Sequence, residues 1–237
     1  MKEASTFKKQ QDKYFSFEQP HLRASIDNYT LKMAKRLANQ LNLNSTDKVL
    51  EIGCGSGRFT LPLNYLNRDL KITGLDFSKK LITELKQLKL SNVKTLQGDV
   101  DEVEKLTREK YNKIIGFFIL HHLPNLEESL RILRKTTLKN AVVGFIEPNP
   151  LNPLFYPQPF LYKNMSWKEE KGFVKLNQKF LRKTFLEAGY KDVRIENFGF
   201  LPPFIVSRGP GLNIDNLLEK IPLKTFLPFQ LITAKVK

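Results

Sequence analysis

Three glycines at alternate positions form the most informative pattern in this chain. Gly53, Gly55 and Gly57 follow a short β-prone segment, Lys48–Ile52, and precede a helical pattern at Phe59–Leu66. Glycine lets the main chain turn tightly and come close to a ligand, and the bare N–H groups at a helix start favour polar or anionic ligand atoms. The spacing G-x-G-x-G differs from the G-x-G-x-x-G of nicotinamide-dinucleotide sites. The pattern therefore predicts a ligand-binding loop of another kind.

Two aspartates follow the next two predicted strands. Asp76 ends the second strand, where a carboxylate can accept hydrogen bonds from both hydroxyls of a ribose. Asp99 follows the third strand, within reach of an exocyclic amine on a base. Each aspartate also has a structural interpretation that needs no ligand. Asp76 can cap the following helix, as Ser78 can equally well, and Gly98-Asp99 can form an ordinary turn. Together with the glycines, the two carboxylates predict a site with the shape of a nucleoside.

A pair of histidines is the candidate for acid–base chemistry. His121 and His122 follow the apolar segment Lys113–Ile119, so they fall at the same predicted edge of a sheet. Histidine titrates near pH ~6.5, which suits a general base that removes a proton from an attacking hydroxyl. The alternative is structural, with one or both rings capping a helix or bonding the backbone beside Pro124. The sequence does not rank the two histidines.

The single cysteine and the spacing of possible metal ligands argue against a nucleophilic thiol and against a metal site. Cys54 is the single cysteine, lies between two glycines and has no histidine nearby in sequence. We therefore interpret it as a small side chain that fills the turn rather than as a nucleophile. No grouping of Cys, His, Asp and Glu has the spacing of a metal site, so no metal is predicted.

These residues need a scaffold that brings the ends of several strands together, and the sequence supplies one. Short apolar segments alternate with helical periodicity along most of the chain. The predicted strands are Lys48–Ile52, Lys71–Leu75, Val93–Leu96, Lys113–Ile119, Ala141–Ile146, Val193–Phe198 and Phe229–Val236. The predicted helices lie within Gln19–Leu43 and at Phe59–Leu66, Lys79–Leu88, Val100–Glu109, Leu126–Lys139 and Asn177–Ala188, with a loop at Pro202–Gly211. This alternation predicts an α/β fold with a doubly wound, mostly parallel seven-stranded sheet and helices on both faces. A late hairpin with one antiparallel strand would fit the last two strands, but periodicity alone does not show it.

Four motifs, in order, resemble those of the class I S-adenosylmethionine-dependent methyltransferases, in the branch that shares motifs with small-molecule and quinone methyltransferases. The motifs are VLEIGCGSGRFT at Val49–Thr60, ITGLDFS at Ile72–Ser78, QGDV at Gln97–Val100 and IGFFILHHLP at Ile115–Pro124. The resemblance is close over residues 45–147 and implies a Rossmann-like methyltransferase fold with S-adenosyl-L-methionine as cofactor. One departure is Asn112-Lys113, which stands where the family usually opens its fourth strand with an acidic residue, far from the chemistry.

The resemblance also implies a role for individual residues. The methionine end of the cofactor would be held by Glu51, Gly53, Cys54, Gly55 and Gly57. The ribose would be bound by Asp76, the adenine ring by Phe77, the adenine edge by Asp99 and Val100, and the sulfonium region would be lined by Gly116 and Phe117. His121 and His122 remain the candidates for catalysis.

The flanks of this motif region are expected to serve the acceptor. We predict a single methyltransferase domain over residues 1–237, a helical cap at 1–44, and accessory segments on the acceptor side at 151–176 and 199–226. The first accessory segment is rich in aromatic residues: Phe155, Tyr156, Phe160, Tyr162, Trp167 and Phe173. They suit a lid over an apolar or planar acceptor, or simple packing against the sheet. The expected function is methyl transfer to a small-molecule or lipid-like acceptor, at oxygen.

The net positive charge of the chain means that acceptors other than a small molecule or lipid are also considered. The chain has 39 Lys and Arg against 24 Asp and Glu, a formal net charge of +15, which favours anionic partners. A lysine-rich solvated surface is the preferred explanation, because the basic residues are spread along the chain. RNA or protein methylation, or a non-catalytic cofactor-binding subunit, are the alternatives. Nucleic acid is not favoured as a partner, because Phe117–Leu120 offers no side chain to hold an exocyclic amine. With no secretory signal and no transmembrane segment in the sequence, the expected location is the cytoplasm, and the oligomeric state is not predicted.

Overall fold

The computed structural model describes residues 23–161, 167–207, 209–219 and 224–237. The first half of the predicted helical cap, up to residue 22, lies outside the described residues, as does Tyr162 of the predicted aromatic lid.

Seven strands form one sheet, as predicted. They are β1 (Lys48–Ile52), β2 (Lys71–Asp76), β3 (Val93–Gln97), β4 (Tyr111–Phe117), β5 (Thr137–Pro148), β6 (Tyr190–Phe198) and β7 (Phe229–Val236). Their order in the sheet is β3-β2-β1-β4-β5-β7-β6. All neighbours are parallel except β7, which runs antiparallel to both β5 and β6. The sheet is therefore mixed but mostly parallel, and the carboxyl ends of β1 to β4 meet at one edge.

Helices connect these strands. Along the chain they are α1 (Asn28–Leu41), α2 (Thr60–Leu66), α3 (Lys79–Gln87), α4 (Val103–Leu106), α5 (Leu126–Lys135), α6 (Gln158–Leu161), α7 (Trp167–Glu170), α8 (Gln178–Glu187), α9 (Pro203–Val206) and α10 (Gly211–Leu218). Short 3₁₀ turns lie at Val100–Glu102, Leu120–His122, Pro153–Phe155, Lys171–Lys175 and Lys224–Phe226. The first long helix begins at a capping box, in which the Asp27 carboxylate accepts from the backbone N–H of Thr30 and the Thr30 hydroxyl accepts from that of Asp27.

The helices cover both faces of the sheet, because alternate side chains of each strand point to opposite sides. On one face, Leu37 of α1 packs with Val49 of β1 in a buried cluster that also includes α2. On the other, Leu130 of α5 packs with Leu50 of β1 in a second cluster that includes α8. The prediction of helices on both faces is confirmed.

Several predicted element boundaries were wrong, and three of them have a clear physical reason. The fourth strand ends at Phe117 rather than Ile119, because Phe118 has a left-handed backbone with φ of 54° that cannot continue a strand. The helix predicted to reach Lys139 ends at Lys135, since the chain from Thr137 pairs with β4 instead. The stretch predicted as loop at Pro202–Gly211 contains α9, which begins with a proline in its first turn, where proline is tolerated.

Candidate functional site

The glycine loop turns as its spacing predicts. Gly53, Gly55 and Gly57 have φ of 65°, 53° and 94°, all in the region that favours glycine. A Cβ on Gly53 would lie 2.6 Å from Ile119 Cδ1, and one on Gly57 would lie 2.7 Å from Leu85 Cδ1. Gly55 has open space at this position, with no atom nearer than 3.9 Å. The loop is thus packed at its two ends and open in its middle, where its backbone can approach a ligand.

Asp76 fastens this loop to the end of β2. One carboxylate oxygen accepts from the backbone N–H of Gly55 at 2.8 Å, and the other from that of Ser78 at 2.9 Å. The N-cap of α3 is Ser78, so the alternative in which Asp76 caps this helix is wrong. These two bonds fix the Asp76 carboxylate where the glycine loop and β2 end.

A narrow crevice opens where the loop, β2 and β3 end. Its lining combines predicted residues with apolar side chains that follow β4: Gly53, Leu75, Asp76, Phe77, Gly98, Asp99, Val100, Ile119, His122, Leu123 and Pro124. Its volume is about 40 Å³, whereas pockets for drug-sized ligands hold about 300–1,000 Å³. A nucleoside therefore enters only if the wall formed by Ile119, Leu123 and Pro124 moves outward. The sequence analysis did not assign these three residues to the site.

Asp99 has a local role as well as a place in the crevice. Its carboxylate accepts from the backbone N–H of Asp101 at 2.8 Å and so begins the 3₁₀ turn at Val100–Glu102. Asp99 therefore both forms an ordinary turn and lines the crevice where a ligand could bind.

Six residues of the predicted cofactor set do not line the crevice: Gly55 and Gly57 of the loop, and the buried Glu51, Cys54, Gly116 and Phe117. Glu51 is buried beneath the loop and accepts from the Thr60 hydroxyl at 2.7 Å. Gly116 lies under Ile119, and Phe117 stacks on Phe59 with ring centroids 4.3 Å apart. Cys54 is buried, and burial raises the pKa of its thiol well above the usual value. Since a thiol in this state is inert, Cys54 fills the turn as predicted.

The Glu51 carboxyl has an unusual protonation state. Burial raises its pKa to about 8, the nearby Asp76 charge adds to this, and the Thr60 hydroxyl opposes it. Glu51 is therefore mainly neutral at pH 7 and becomes charged only when a cation approaches it or the pH rises.

The two histidines occupy different environments. His121 Nδ1 lies 2.6 Å from one oxygen of Glu147, a fully buried carboxylate at the end of β5. The other oxygen of Glu147 accepts from the backbone N–H groups of Ile119 and Leu120, both at 2.7 Å. His121 Nε2 lies 3.6 Å from Glu170 in α7. His121 is thus held between two carboxylates, while His122 faces the crevice.

These environments move the two pKa values in opposite directions. Burial alone would lower the pKa of His121, but its ion pairs with Glu147 and Glu170 outweigh this effect and raise it to about 10. Burial lowers the pKa of His122 to about 3, and the positive charge on His121 contributes to this. At pH 7 His121 is an imidazolium and His122 is a neutral imidazole. Only His122 can accept a proton.

The same cluster contains a set of possible metal ligands. His121, His122 and Glu170 each bring one ligand atom within 4.8 Å of the others. Two histidines and a carboxylate are a ligand set used by zinc and iron. However, an imidazolium has no lone pair to donate to a metal, and the ion pairs of His121 account for this geometry without one. The sequence missed the grouping because Glu170 is far from the histidines along the chain.

The first accessory segment folds over the histidines. Gly172 packs so closely that a Cβ on it would lie 2.0 Å from the carbonyl oxygen of His121. The aromatic residues of the segment contact one another, with centroids 6.1 Å apart for Trp167 and Phe173 and 5.9 Å for Phe155 and Phe173. Phe155 also reaches Phe229 of β7 at 5.9 Å. An aromatic layer thus adjoins the catalytic candidates.

The second accessory segment is tied to α1 through ion pairs. Lys32 pairs with Asp215 and Glu219, and Arg36 pairs with Glu219 at 3.0 Å. Asp215 also accepts from the backbone N–H of Phe200 at 2.7 Å. The helix of the predicted cap and this segment therefore hold each other in place next to the site.

Arg58, which follows the glycine loop, was not singled out by the sequence. Its guanidinium lies 5.5 Å from the centroid of the Tyr29 ring and 5.2 Å from that of Phe59. Burial lowers its pKa, yet an arginine keeps its charge at neutral pH. Arg58 thus places a cation against two aromatic rings just before the N-terminus of α2.

A family model described as "Methyltransferase domain" matches residues 43–189, which include the glycine loop, both aspartates and the histidine pair. The chain belongs to this methyltransferase family. Together with the four motifs, this confirms the prediction of a class I S-adenosylmethionine-dependent methyltransferase and of S-adenosylmethionine as the methyl donor. The residues present also fit that donor, because the middle of the glycine loop is open and the Asp76 carboxylate lies beside it in the lining of the crevice.

This methyltransferase is similar in sequence to one known methyltransferase and in fold to others, and two of the names include different acceptors. A demethylmenaquinone methyltransferase from Staphylococcus aureus (strain JH9) is 23% identical over 184 residues, covering 69% of this chain and 76% of its own. A SAM-dependent methyltransferase from Archaeoglobus fulgidus superposes with a TM-score of 0.63 at 20% identity, covering 87% of this chain and 94% of its own. The plantazolicin methyltransferase BamL, solved with a substrate analogue and SAH, gives 0.64 at 15% identity, covering 88% and 84%.

The described part of this methyltransferase has no helix that is both long and apolar enough to cross a membrane.

Proposed function

We propose that this methyltransferase transfers the methyl group of S-adenosylmethionine to a hydroxyl of a small-molecule or lipid-like acceptor. The observation that carries the proposal is the aromatic first accessory segment, which packs onto the histidine pair beside the crevice. An acceptor in this position has apolar rings on one side and a neutral imidazole on the other.

The cofactor is proposed to lie across the ends of β1, β2 and β3. Asp76 binds the ribose hydroxyls, Phe77 packs on the adenine ring, and Asp99 with Val100 binds the adenine edge. This proposal is supported by the fact that all four residues line one crevice. The methionine end lies over the glycine loop, with Glu51 below it as the partner of its ammonium group.

The donor supplies an electrophilic methyl carbon on a sulfonium, and the bond from that carbon to sulfur breaks as its bond to the acceptor oxygen forms. This chain must orient the hydroxyl, exclude water and take up the hydroxyl proton. His122 is proposed as the base, because it is neutral and lines the crevice. Its low pKa makes it a weak base, so proton removal accompanies the attack rather than preceding it.

His121 and Glu147 are proposed as positioning residues. Glu147 fixes the 3₁₀ turn at Leu120–His122 through two backbone bonds and holds the His121 ring with its second oxygen. His121 in turn lies beside His122, with ring centroids 4.0 Å apart. This arrangement orients His122 without exposing a second base to the acceptor.

A lipid-like acceptor has further support from the relative in Staphylococcus aureus, whose name refers to demethylmenaquinone. The +15 net charge favours the alternative of an RNA acceptor. Incubation with methyl-labelled S-adenosylmethionine and separate lipid, RNA and protein fractions distinguishes them. We expect label in the lipid or small-molecule fraction as an alkali-stable methyl ether. Label in RNA or protein would contradict the proposed acceptor, and an absence of label in every fraction would favour a non-catalytic subunit.

A paired variant tests the base. His122→Gln should lower turnover about tenfold to a hundredfold at saturating acceptor and leave cofactor affinity within a factor of about two. Lys94→Gln, which changes an exposed lysine paired with Glu109, is the control and should match the wild type. Equal turnover of His122→Gln and the wild type would remove the proposed role.

A further inference from the structure

Large apolar side chains are exposed unevenly over the described chain. Ten of the sixteen with substantial exposure lie in the two accessory segments, although these segments make up less than a quarter of the sequence. The six most exposed of these ten are Phe160, Leu217, Phe204, Phe226, Leu154 and Leu151. Phe160 is 77% exposed and Leu217 65%. Scattered single apolar residues are normal on a protein surface, whereas a concentration in one region marks an interaction site.

The two segments lie at one end of the molecule. The first begins where β5 ends, and the second runs from the end of β6 to the start of β7, which is antiparallel to β6. All three points lie at the carboxyl edge of the sheet, where the crevice opens. A side-chain bond joins the segments, since Asn152 Nδ2 donates to the carbonyl of Phe226 at 2.6 Å. Just outside them, Asn149 Nδ2 donates to the carbonyl of Leu227 at 2.7 Å.

Positive charge accompanies this apolar surface. The two segments contain seven Lys or Arg against four Asp or Glu. Four lysines in them are exposed: Lys168, Lys171, Lys175 and Lys224. Both acids of the second segment, Asp215 and Glu219, are largely buried in ion pairs with Lys32 of α1. The exposed charge of the described parts of the two segments is therefore mainly positive.

We propose that the exposed apolar residues and lysines of segments 151–176 and 199–226, the carboxyl-edge surface, dock onto an anionic lipid bilayer. Aromatic and aliphatic side chains enter the headgroup region while lysines contact acidic headgroups, a combination that binds membrane surfaces without spanning them. Docking at this edge presents the crevice and the aromatic layer to molecules dissolved in the bilayer. The inference rests on the lipid-like acceptor of the proposed function and adds how that acceptor is reached.

Vesicle flotation tests the docking without any methyl transfer. The protein is mixed with vesicles of phosphatidylcholine alone or with added phosphatidylglycerol, at low and high salt. We expect binding to the anionic vesicles, several-fold weaker binding to neutral ones, and partial loss in high salt, because only the charge contribution is screened. Absence of binding to anionic vesicles would overturn the proposal, as would equal binding to both compositions.

A matched pair of variants locates the contact. Phe160→Ser with Leu217→Ser should weaken binding to anionic vesicles at least tenfold, because burial of large apolar side chains provides much of the binding free energy at a membrane surface. Tyr65→Ser with Leu138→Ser removes exposed apolar groups from the end of α2 and the start of β5, at the opposite edge, and should bind like the wild type. Equal weakening in both variants would overturn the assignment to the carboxyl-edge surface.

Two further readouts separate the possible failures. Calorimetry with S-adenosylmethionine should give the same affinity for all these variants, which shows that they are folded. Light scattering should show that the wild type forms no dimer as its concentration rises. A dimer that dissociates in the Phe160→Ser, Leu217→Ser variant would mean that a second copy of the chain covers this surface. Vesicle binding without labelled lipid would refute the proposed acceptor and leave the docking intact. Labelled lipid without vesicle binding would refute the docking and leave the proposed acceptor intact.

Discussion

The proposed cofactor side and the proposed acceptor side of this methyltransferase are built in different ways. The cofactor side uses backbone N–H groups and short carboxylates at the ends of consecutive strands, and Asp76 joins two of these ends through bonds of 2.8 and 2.9 Å. The acceptor side joins residues that are distant in sequence, such as His121, Glu147 and Glu170, and covers them with aromatic rings. One side is defined by local turns and the other by the packing of the whole chain.

The difference has a physical consequence for substitutions. A turn that binds the cofactor tolerates little change, because positive φ angles and strand ends fix it. The acceptor side depends on side chains that contact one another across elements, so changes there should alter turnover or acceptor choice while the cofactor still binds. The following predictions separate the two sides.

The largest effect is expected for Asp76→Ala. This variant removes the carboxylate that holds the loop and is proposed to bind the ribose, and each hydrogen bond to a charged group contributes about 1.5–3 kcal/mol. Affinity for S-adenosylmethionine should fall about a hundredfold or more by calorimetry. Asp69→Ala, which changes an exposed aspartate in the turn before β2, is the control. If the two variants bind the cofactor equally well, the cofactor side is wrongly assigned.

Glu147→Gln should affect the acceptor side alone. Turnover should fall roughly tenfold to a hundredfold because the histidine turn loses its charged anchor, a loss of about 1.5–3 kcal/mol, while cofactor affinity changes little. In the wild type, the raised pKa of His121 stabilises the fold fully below its ordinary value of 6.5, and this contribution disappears as the pH rises towards 10. The variant should lose most of this dependence in thermal unfolding measured across pH. An unchanged pH profile would show that Glu147 does not set the charge of His121.

Cofactor affinity should rise with pH through Glu51. Its pKa of about 8 keeps the carboxyl neutral at pH 6, and the ammonium of the cofactor favours the charged form, so binding releases a proton. Affinity should increase up to about tenfold per pH unit between roughly pH 6 and 7.5. Calorimetry in buffers of different ionisation enthalpy measures the released proton. Glu51→Gln should bind without releasing it, and equal proton release in both proteins would exclude Glu51.

The smallest effect is expected for Lys32→Met, which breaks the link between α1 and the second accessory segment. Asp215 and Glu219 keep backbone donors at Phe200 and Gly199, so the loss of stability should be only about 1–2 kcal/mol. Hydrogen exchange in 199–219 should become faster while exchange in the glycine loop is unchanged. Faster exchange in both regions would mean that the two sides are not independent.

The sequence predicted the cofactor side better than the acceptor side for a physical reason. Glycine spacing and strand ends are local properties, so the positions of Gly53, Asp76 and Asp99 could be inferred from a short stretch. The close packing of Ile119 on Gly53 could not, because it follows from the left-handed turn at Phe118. Nor could the partnership of His121 with Glu170, which depends on how the first accessory segment folds back over the sheet edge.

The periodicity predicted strands more reliably than the connections between them. Buried parallel strands show as continuous apolar runs, and all seven appeared where expected. Short helices such as α9 and α10 have too few turns for a clear period, and they lie in segments rich in proline and glycine. Their positions are decided by contacts such as those of Asp215 with the backbone at Phe200 and Leu201.

A crystal structure with S-adenosylhomocysteine bound tests the central claim most directly. The account predicts that Ile119 and Leu123 move outward, that the ribose hydroxyls lie within hydrogen-bond distance of Asp76, and that the adenine amine faces Asp99. A product bound elsewhere, with its ribose out of reach of Asp76 and the crevice closed, would contradict it.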